Sequence, residues 1–253
     1  MLPIVFENIF KSYGQKTALH GLSLAFAENK TTAVIGPSGS GKSTLIQCIN
    51  GLIVPDGGRV LVFDEAIDYS NLPQLRKRIG YAVQGTGLFP HLTVRQNITL
   101  MAKLEKWPGM RIQERLQELM NLVNLPAAFA ERYPYELSGG EQQRVGLCRA
   151  MMLNPRIFLL DEAFGALDPI TRSELHIEFL KLQKSEARTM VLVTHDLREA
   201  LKLADQVVIL NKGKLEQIGS RDEILKHPAN TFVEKFVHLQ LEDDVYHDFQ
   251  GTR

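Results

Sequence analysis

The chain has 253 residues, enough for one large α/β domain or a core with an inserted subdomain, and its 29 basic and 29 acidic side chains cancel. That balance excludes a global field steering it toward nucleic acid or an anionic bilayer, and leaves room only for local patches. Its two cysteines, Cys48 and Cys148, fall among apolar neighbours in expected helices, so the reading is a reducing cytosol without a disulfide framework. No signal-peptide pattern opens the chain, and no apolar run approaches the roughly 18–20 residues that cross a bilayer, so a membrane role is expected to come through a partner.

Taken in order, Ile4 to Phe10 and Leu22 to Phe26 have the short alternating pattern of strands, with Tyr13-Gly14 as a turn. Thr31 to Ile35 is an apolar run that reads as a buried strand, and Leu45 to Ile49 has helical spacing. Between them lies Gly36-Pro37-Ser38-Gly39-Ser40-Gly41-Lys42-Ser43-Thr44, which fits the G-x-x-x-x-G-K-[ST] phosphate loop in its required strand–turn–helix setting. The glycines let successive N–H groups turn inward, and together with the helix N-terminus these form an anion site. Lys42 brings positive charge to the β- and γ-phosphates, and the Ser43 hydroxyl is placed for Mg²⁺. Nucleotide binding is the expected result.

Pro55-Asp56-Gly57-Gly58 is a turn, followed by strands at Arg59 to Phe63 and Ile79 to Val83 and a loop from Gln84 to His91. From Thr93 to about Asn154 the pattern is helical. Thr93-Val94-Arg95-Gln96 fits a capping box, and Ile112, Leu116, Leu119, Met120 and Val123 line one helix face. This stretch, roughly 93–155, is expected as a helical subdomain inserted in the core. Within it, Ser138-Gly139-Gly140-Glu141 is a second capping box whose two glycines bare a helix N-terminus to an approaching phosphate.

Ile157 to Leu160 is a strand buried on both faces, ending in Asp161-Glu162. Beside a phosphate loop such a pair completes an ATPase, with Asp161 on Mg²⁺ and Glu162 as the base for the attacking water. Asp168-Pro169 caps a helix to about Lys184. Met190 to Val193 is a strand, Asp196 caps the next helix, and strands follow at Val207 to Leu210 and Lys214 to Ile218. Two short helices are expected to finish the fold, and residues 241–253 read as a loosely ordered tail after a domain of residues 1–240. A single chain with two phosphate-binding helix ends points to a second copy.

These motifs together resemble the ATP-binding subunit of ABC transporters over nearly the whole chain. Gly36 to Thr44 matches Walker A, Leu137 to Glu141 the LSGGE signature, and Ile157 to Glu162 Walker B, with Glu162 in the catalytic position. Gln84 matches the Q-loop residue that meets Mg²⁺, and His195 the switch histidine. Gly165-Ala166-Leu167-Asp168 resembles the D-loop, with Gly165 replacing the usual serine, and Tyr13 falls where an aromatic stacks on adenine. The resemblance implies a P-loop NTPase α/β core, mainly a parallel sheet, with an antiparallel β subdomain and an inserted α-helical subdomain. It implies ATP and Mg²⁺, and a head-to-tail dimer holding each nucleotide between Lys42's loop and the other copy's Ser138 to Glu141. It also implies membrane subunits docking near Gln84 to Ile98, a solute-binding protein acting indirectly, and a place on the inner face of the cell membrane. No nucleic-acid partner is expected.

Gly87 to His91, Leu167 to Arg172, Val193 to Asp196, and Gln217 to Gly219 through His227 to Ala229 look like importers of glycine betaine and related quaternary amines. Gln84-Gly85 departs from the Gln-Gln pair common in that group. An exporter or lipid-transport ATPase and a soluble ABC ATPase are the alternative readings. The single set of motifs and the lack of a heptad run speak against the second.

Overall fold

Three pentapeptides, Thr31–Ile35 (β3), Ile157–Asp161 (β7) and Thr189–Val193 (β8), are buried at every position, as strands covered on both faces must be. The computed structural model describes residues 2–83, 85, 87–165, 167–185 and 188–247. Gln84 and Ala166 of the expected site motifs lie outside the described residues. The chain divides into two units, residues 1–69 with 191–253, and residues 70–190.

In the first unit, β1 (Ile4–Tyr13), β2 (Lys16–Phe26), β4 (Gly57–Val62) and the short β5 (Glu65–Ala66) form an antiparallel sheet in the order β2-β1-β4-β5. Both long strands run past their apolar cores, so the hairpin turns at Gly14 and Tyr13 ends β1 opposite Lys16. β3 lies parallel to β9 (Gln206–Asn211), which pairs antiparallel with β10 (Lys214–Gly219). Ala33, Ile35, Val207 and Ile209 face a layer made by α7 (Leu197–Leu203), α8 (Arg221–Lys226) and α9 (Thr231–His247) through Leu197, Ala200, Ile224, Val233 and Val237. Ile35 and Ile209 are wholly buried, each worth about 2 kcal/mol of transfer free energy. The helix α1 (Lys42–Ile49) follows β3.

The chain does not finish on two short helices. α8 has 6 residues but α9 has 17 and continues to His247, into the stretch read as a tail. Its path is tied by contacts distant in sequence: Arg198 donates to the Leu241 carbonyl at 2.8 Å, and the Leu197 N–H donates to Gln240 Oε1 at 3.3 Å.

In the second unit, α2 (Leu72–Lys77) leads to β6 (Ile79–Ala82), which pairs in parallel with β7. Then come α3 (Val94–Leu104), α4 (Gly109–Leu122), two 3₁₀ turns, α5 (Gly139–Met151) and, after β7, α6 (Pro169–Ser185). Both expected capping boxes form, at Thr93 with Gln96 and at Ser138 with Glu141. Leu116, Leu119 and Met120 make the buried face of α4 at the expected spacing. Cys148 is buried here, as Cys48 is in the first unit, and both are free. Burial pushes each thiol up to about 12, so neither supplies a thiolate near neutrality.

Candidate active site

In the first unit β3 ends at Ile35 and the backbone swings at once into Gly36, with φ 150°. A Cβ there would lie 2.1 Å from the Leu210 carbonyl oxygen, and one at Gly41 (φ 102°) would lie 2.5 Å from that of Ala18. Only glycine fits either place. The loop Gly36 to Gly41 is held from within by the Ser40 N–H on the Pro37 carbonyl (3.2 Å), and from β10's hairpin by the Gly213 N–H on the Ser40 carbonyl (3.0 Å). α1 begins without a side-chain cap and without an acidic residue in its first turn, so its N-terminal N–H groups and its positive dipole end are left for an anion.

Lys42 is 8% exposed and arches over this loop, donating to the Gly36 carbonyl at 2.8 Å and the Pro37 carbonyl at 3.0 Å. The ammonium is thereby stored at the loop's own mouth. Ser43 is exposed, with its hydroxyl on the first turn of α1, and Pro37, Ser38 and Gly39 are exposed beside it. Ser40 is buried and Thr44 half-buried. Tyr13 is 49% exposed at the hairpin end of β1, with Lys11 Nζ 5.6 Å from its ring centroid. His195 is exposed just past β8, where the Thr194 N–H donates to the Val34 carbonyl at 3.3 Å. The first unit therefore brings His195 beside the end of β3 from which the phosphate loop springs.

In the second unit Asp161 closes β7, 3% exposed, and its Oδ2 accepts the Tyr81 hydroxyl at 3.2 Å. Glu162 follows with φ 49°, a left-handed conformation that a glutamate rarely takes. Strain of that kind, of order 1–3 kcal/mol, persists where the surroundings impose it and concentrates at functional positions. Glu162 is half-buried.

The start of α5 is open. The Glu141 carboxylate accepts the Ser138 N–H (2.7 Å) and hydroxyl (2.9 Å), while Ser138 Oγ accepts the Glu141 N–H at 3.3 Å. The N–H groups of Gly139 and Gly140 lie inside this box, at the first two helical positions. A Cβ at Gly139 would meet nothing within 4 Å. Among the described residues, no packing requires glycine there. At Gly140 a Cβ would lie 3.3 Å from Leu167 and 3.9 Å from Thr171, so the start of α6 lies against the signature turn. Asp168, exposed, caps α6 by accepting the Thr171 N–H at 3.0 Å, and its bonds to Thr171 hold its carboxyl below the usual range.

A family model described as ABC transporter matches residues 19–165, over half of the sequence. The chain belongs to the ABC transporter family. Of its ABC relatives, the choline transport ATP-binding protein OpuBA of Bacillus subtilis is 48% identical over 235 residues, which is 92% of this chain and 62% of that protein. The glycine betaine uptake system ATP-binding protein YehX of Escherichia coli is 45% identical over 233 residues, 92% of this chain and 76% of that protein. A dimeric ATP-binding cassette, solved in a post-hydrolysis state with ADP and Pi, superposes with a TM-score of 0.80 at 32% identity, covering 86% of this chain and 98% of that one. The α/β architecture is thus that of an ABC ATPase cassette. The chain spans about three fifths of the length of several relatives that it matches.

Three further residues stand beside the expected positions, each within its own unit. Lys16 Nζ is 3.7 Å from where a Gly39 side chain would begin, which adds a second cation at the phosphate loop. Tyr81 holds Asp161. Asn97, wholly buried, accepts the Phe89 N–H at 2.8 Å and donates to the carbonyls of Phe89 and Leu92, fixing the loop after Gln84. Only the hairpin pairing Tyr13↔Lys16 had a sequence signal, the Gly14 turn between the two.

Proposed function

We propose that the chain is the ATP-hydrolysing subunit of an ABC importer, acting as a head-to-tail pair. The observation that carries this is the exposed turn at Gly139, a helix N-terminus beside which, among the described residues, nothing lies within 4 Å of where a side chain would begin. A second copy's nucleotide is its natural occupant. Lys42, the N–H groups from Gly36 to Thr44 and the signature residues Ser138 to Glu141 of the other copy would then hold the phosphates, with Tyr13 stacking on the adenine.

Glu162 accepts the proton of the attacking water, and His195 donates to the γ-phosphate as charge builds on its oxygens. Asp168 borders the signature turn from the start of α6. Mg²⁺ suits the donor set of Ser43, Asp161 and Gln84, all hard oxygens, and when bound it neutralises charge on the β- and γ-phosphates. The exposed Ser43 hydroxyl and the Tyr81-oriented Asp161 carboxylate support that assignment.

Membrane subunits dock near Gln84 to Ile98, and a solute-binding protein acts through them. A groove of about 360 Å³ supports the docking reading: Phe89, Met101, Arg149, Leu153 and Pro155 are among its lining. Arg149 donates to the Gly87 carbonyl at 2.7 Å and lies 6.0 Å from the Phe89 ring centroid, fixing the groove's wall. The carried solutes are small quaternary amines of the choline and glycine betaine type, a reading supported by the names of the relatives. The subunit then works on the cytoplasmic face of the membrane. Among the described residues, no helix is long and apolar enough to cross it.

Glu162→Gln keeps the shape and removes the base. Turnover is expected to fall by roughly 100- to 10,000-fold while ATP still binds, so that gel filtration with Mg-ATP shows a persistent dimer. A Glu162→Gln protein that eluted as a monomer and hydrolysed ATP normally would overturn the assignment.

A further inference from the structure

The turn joining α3 to α4 combines features that the hydrolysis site does not use. Leu104 is 63% exposed and Met110 77%, with Met101 38% exposed one turn back on α3. Lys103, Lys106 and Arg111 are exposed among them. Glu105, the carboxylate within this stretch, is bound to Lys77 at 2.9 Å. The next carboxylate in sequence, Glu114, is a turn further along α4. Lys103, Lys106 and Arg111 therefore leave a net positive charge around the turn, with Glu114 set against them, although the whole chain is neutral.

Trp107, the chain's single tryptophan, is half-buried at the centre, with the Arg111 guanidinium 3.7 Å from its ring centroid. The turn is preformed. Lys106 takes φ 55°, its N–H donates to the Lys103 carbonyl at 2.9 Å, and the Trp107 N–H donates to that of Ala102 at 3.0 Å, the double bond of a Schellman helix end. Presenting this surface costs no further ordering of the backbone.

We propose that the α3–α4 turn, Leu104 to Arg111, seats directly on an anionic bilayer surface. The side-chain set is that of an interfacial contact: aliphatic groups and a tryptophan for the headgroup–acyl boundary, ringed by cations for the lipid phosphates. Charge complementarity decides for anionic lipid, since apolar area alone would suit any greasy partner, whereas two lysines and an arginine that outnumber the one neighbouring carboxylate outside the Lys77 pair, Glu114, match a negative headgroup layer. Binding of this kind needs neither ATP nor a second copy, so it stands or falls separately from the hydrolysis reading.

The test uses the whole chain with unilamellar vesicles of phosphatidylglycerol and phosphatidylcholine, or of phosphatidylcholine alone. Trp107 emission reports the turn by itself. With anionic vesicles it is expected to shift to the blue and to be quenched by brominated acyl chains, and with neutral vesicles to stay unchanged. Replacing Lys103, Lys106 and Arg111 together by Gln is expected to weaken vesicle binding about 100-fold, and raised salt to release the wild type. Leu104→Ser with Met110→Ser is expected to weaken it about tenfold with the charges intact. Circular dichroism and ATP binding of these variants serve as the check on folding.

Anionic vesicles that leave Trp107 emission unchanged would overturn the proposal. So would vesicle binding that the Gln variant retains, because another surface would then carry it. An emission shift seen only when integral-membrane subunits are reconstituted in the vesicles would assign the turn to a protein partner, and the proposal would again fall.

Discussion

Lys42 shows how the phosphate loop is kept ready. Its ammonium is held among its own loop's carbonyls, a pair of bonds that, on the proposed function, an incoming phosphate would replace with a stronger, charge-assisted one. Lys42→Ala is expected to weaken ATP binding by about 2 kcal/mol, roughly thirtyfold, which an equilibrium titration would measure. Unchanged affinity would remove Lys42 from the site. At Asp168 the carboxyl is stabilised in its charged form by Thr171. A lowered folded-state pKa means that the stabilisation is full above the unfolded value, about 3.9 for Asp, and is lost as pH falls through the folded value. The melting temperature of Asp168→Ala is thus expected below wild type at pH 7, with the gap closing in acid. A gap constant down to pH 2 would contradict this.

Among the elements, Asn97 is the clearest case of one side chain holding two segments. It joins α3 to the loop that carries Phe89 and Leu92, and all its partners are backbone groups. Asn97→Ala strands those groups and is expected to cost about 3 kcal/mol in denaturant unfolding, with the midpoint lowered and the slope unchanged. A loss under 0.5 kcal/mol would mean that water replaces the amide.

The same residue explains what the sequence could and could not reveal. Capping boxes at Thr93 and Ser138 are local, four residues wide, and both were legible, as were the phosphate loop and the fully buried β3, β7 and β8. Asn97 carries no local signal of its role, because its burial is set by the loop that packs on it. α9 was likewise hidden, since Arg198 fixes it from 43 residues away. Lys16 reaches the Gly39 loop across a hairpin, and Tyr81 reaches Asp161 across neighbouring parallel strands, pairings that no spacing rule encodes.

At the scale of the whole molecule, the proposed pairing rests on two helix N-termini, those of α1 and α5. α1 is served by Lys42 from its own loop. The start of α5 carries the capping box of Ser138 and Glu141, and among the described residues nothing lies within 4 Å of a Cβ at Gly139. The dimeric cassette that superposes on this fold at a TM-score of 0.80 supports a paired arrangement. The most direct measurement is ATP hydrolysis per molecule against protein concentration, for wild type beside Ser138→Arg. A site shared between two copies predicts turnover that rises with concentration to a plateau, and its loss in Ser138→Arg while ATP binding persists. Turnover per molecule that is flat with concentration and survives Ser138→Arg would contradict the shared site.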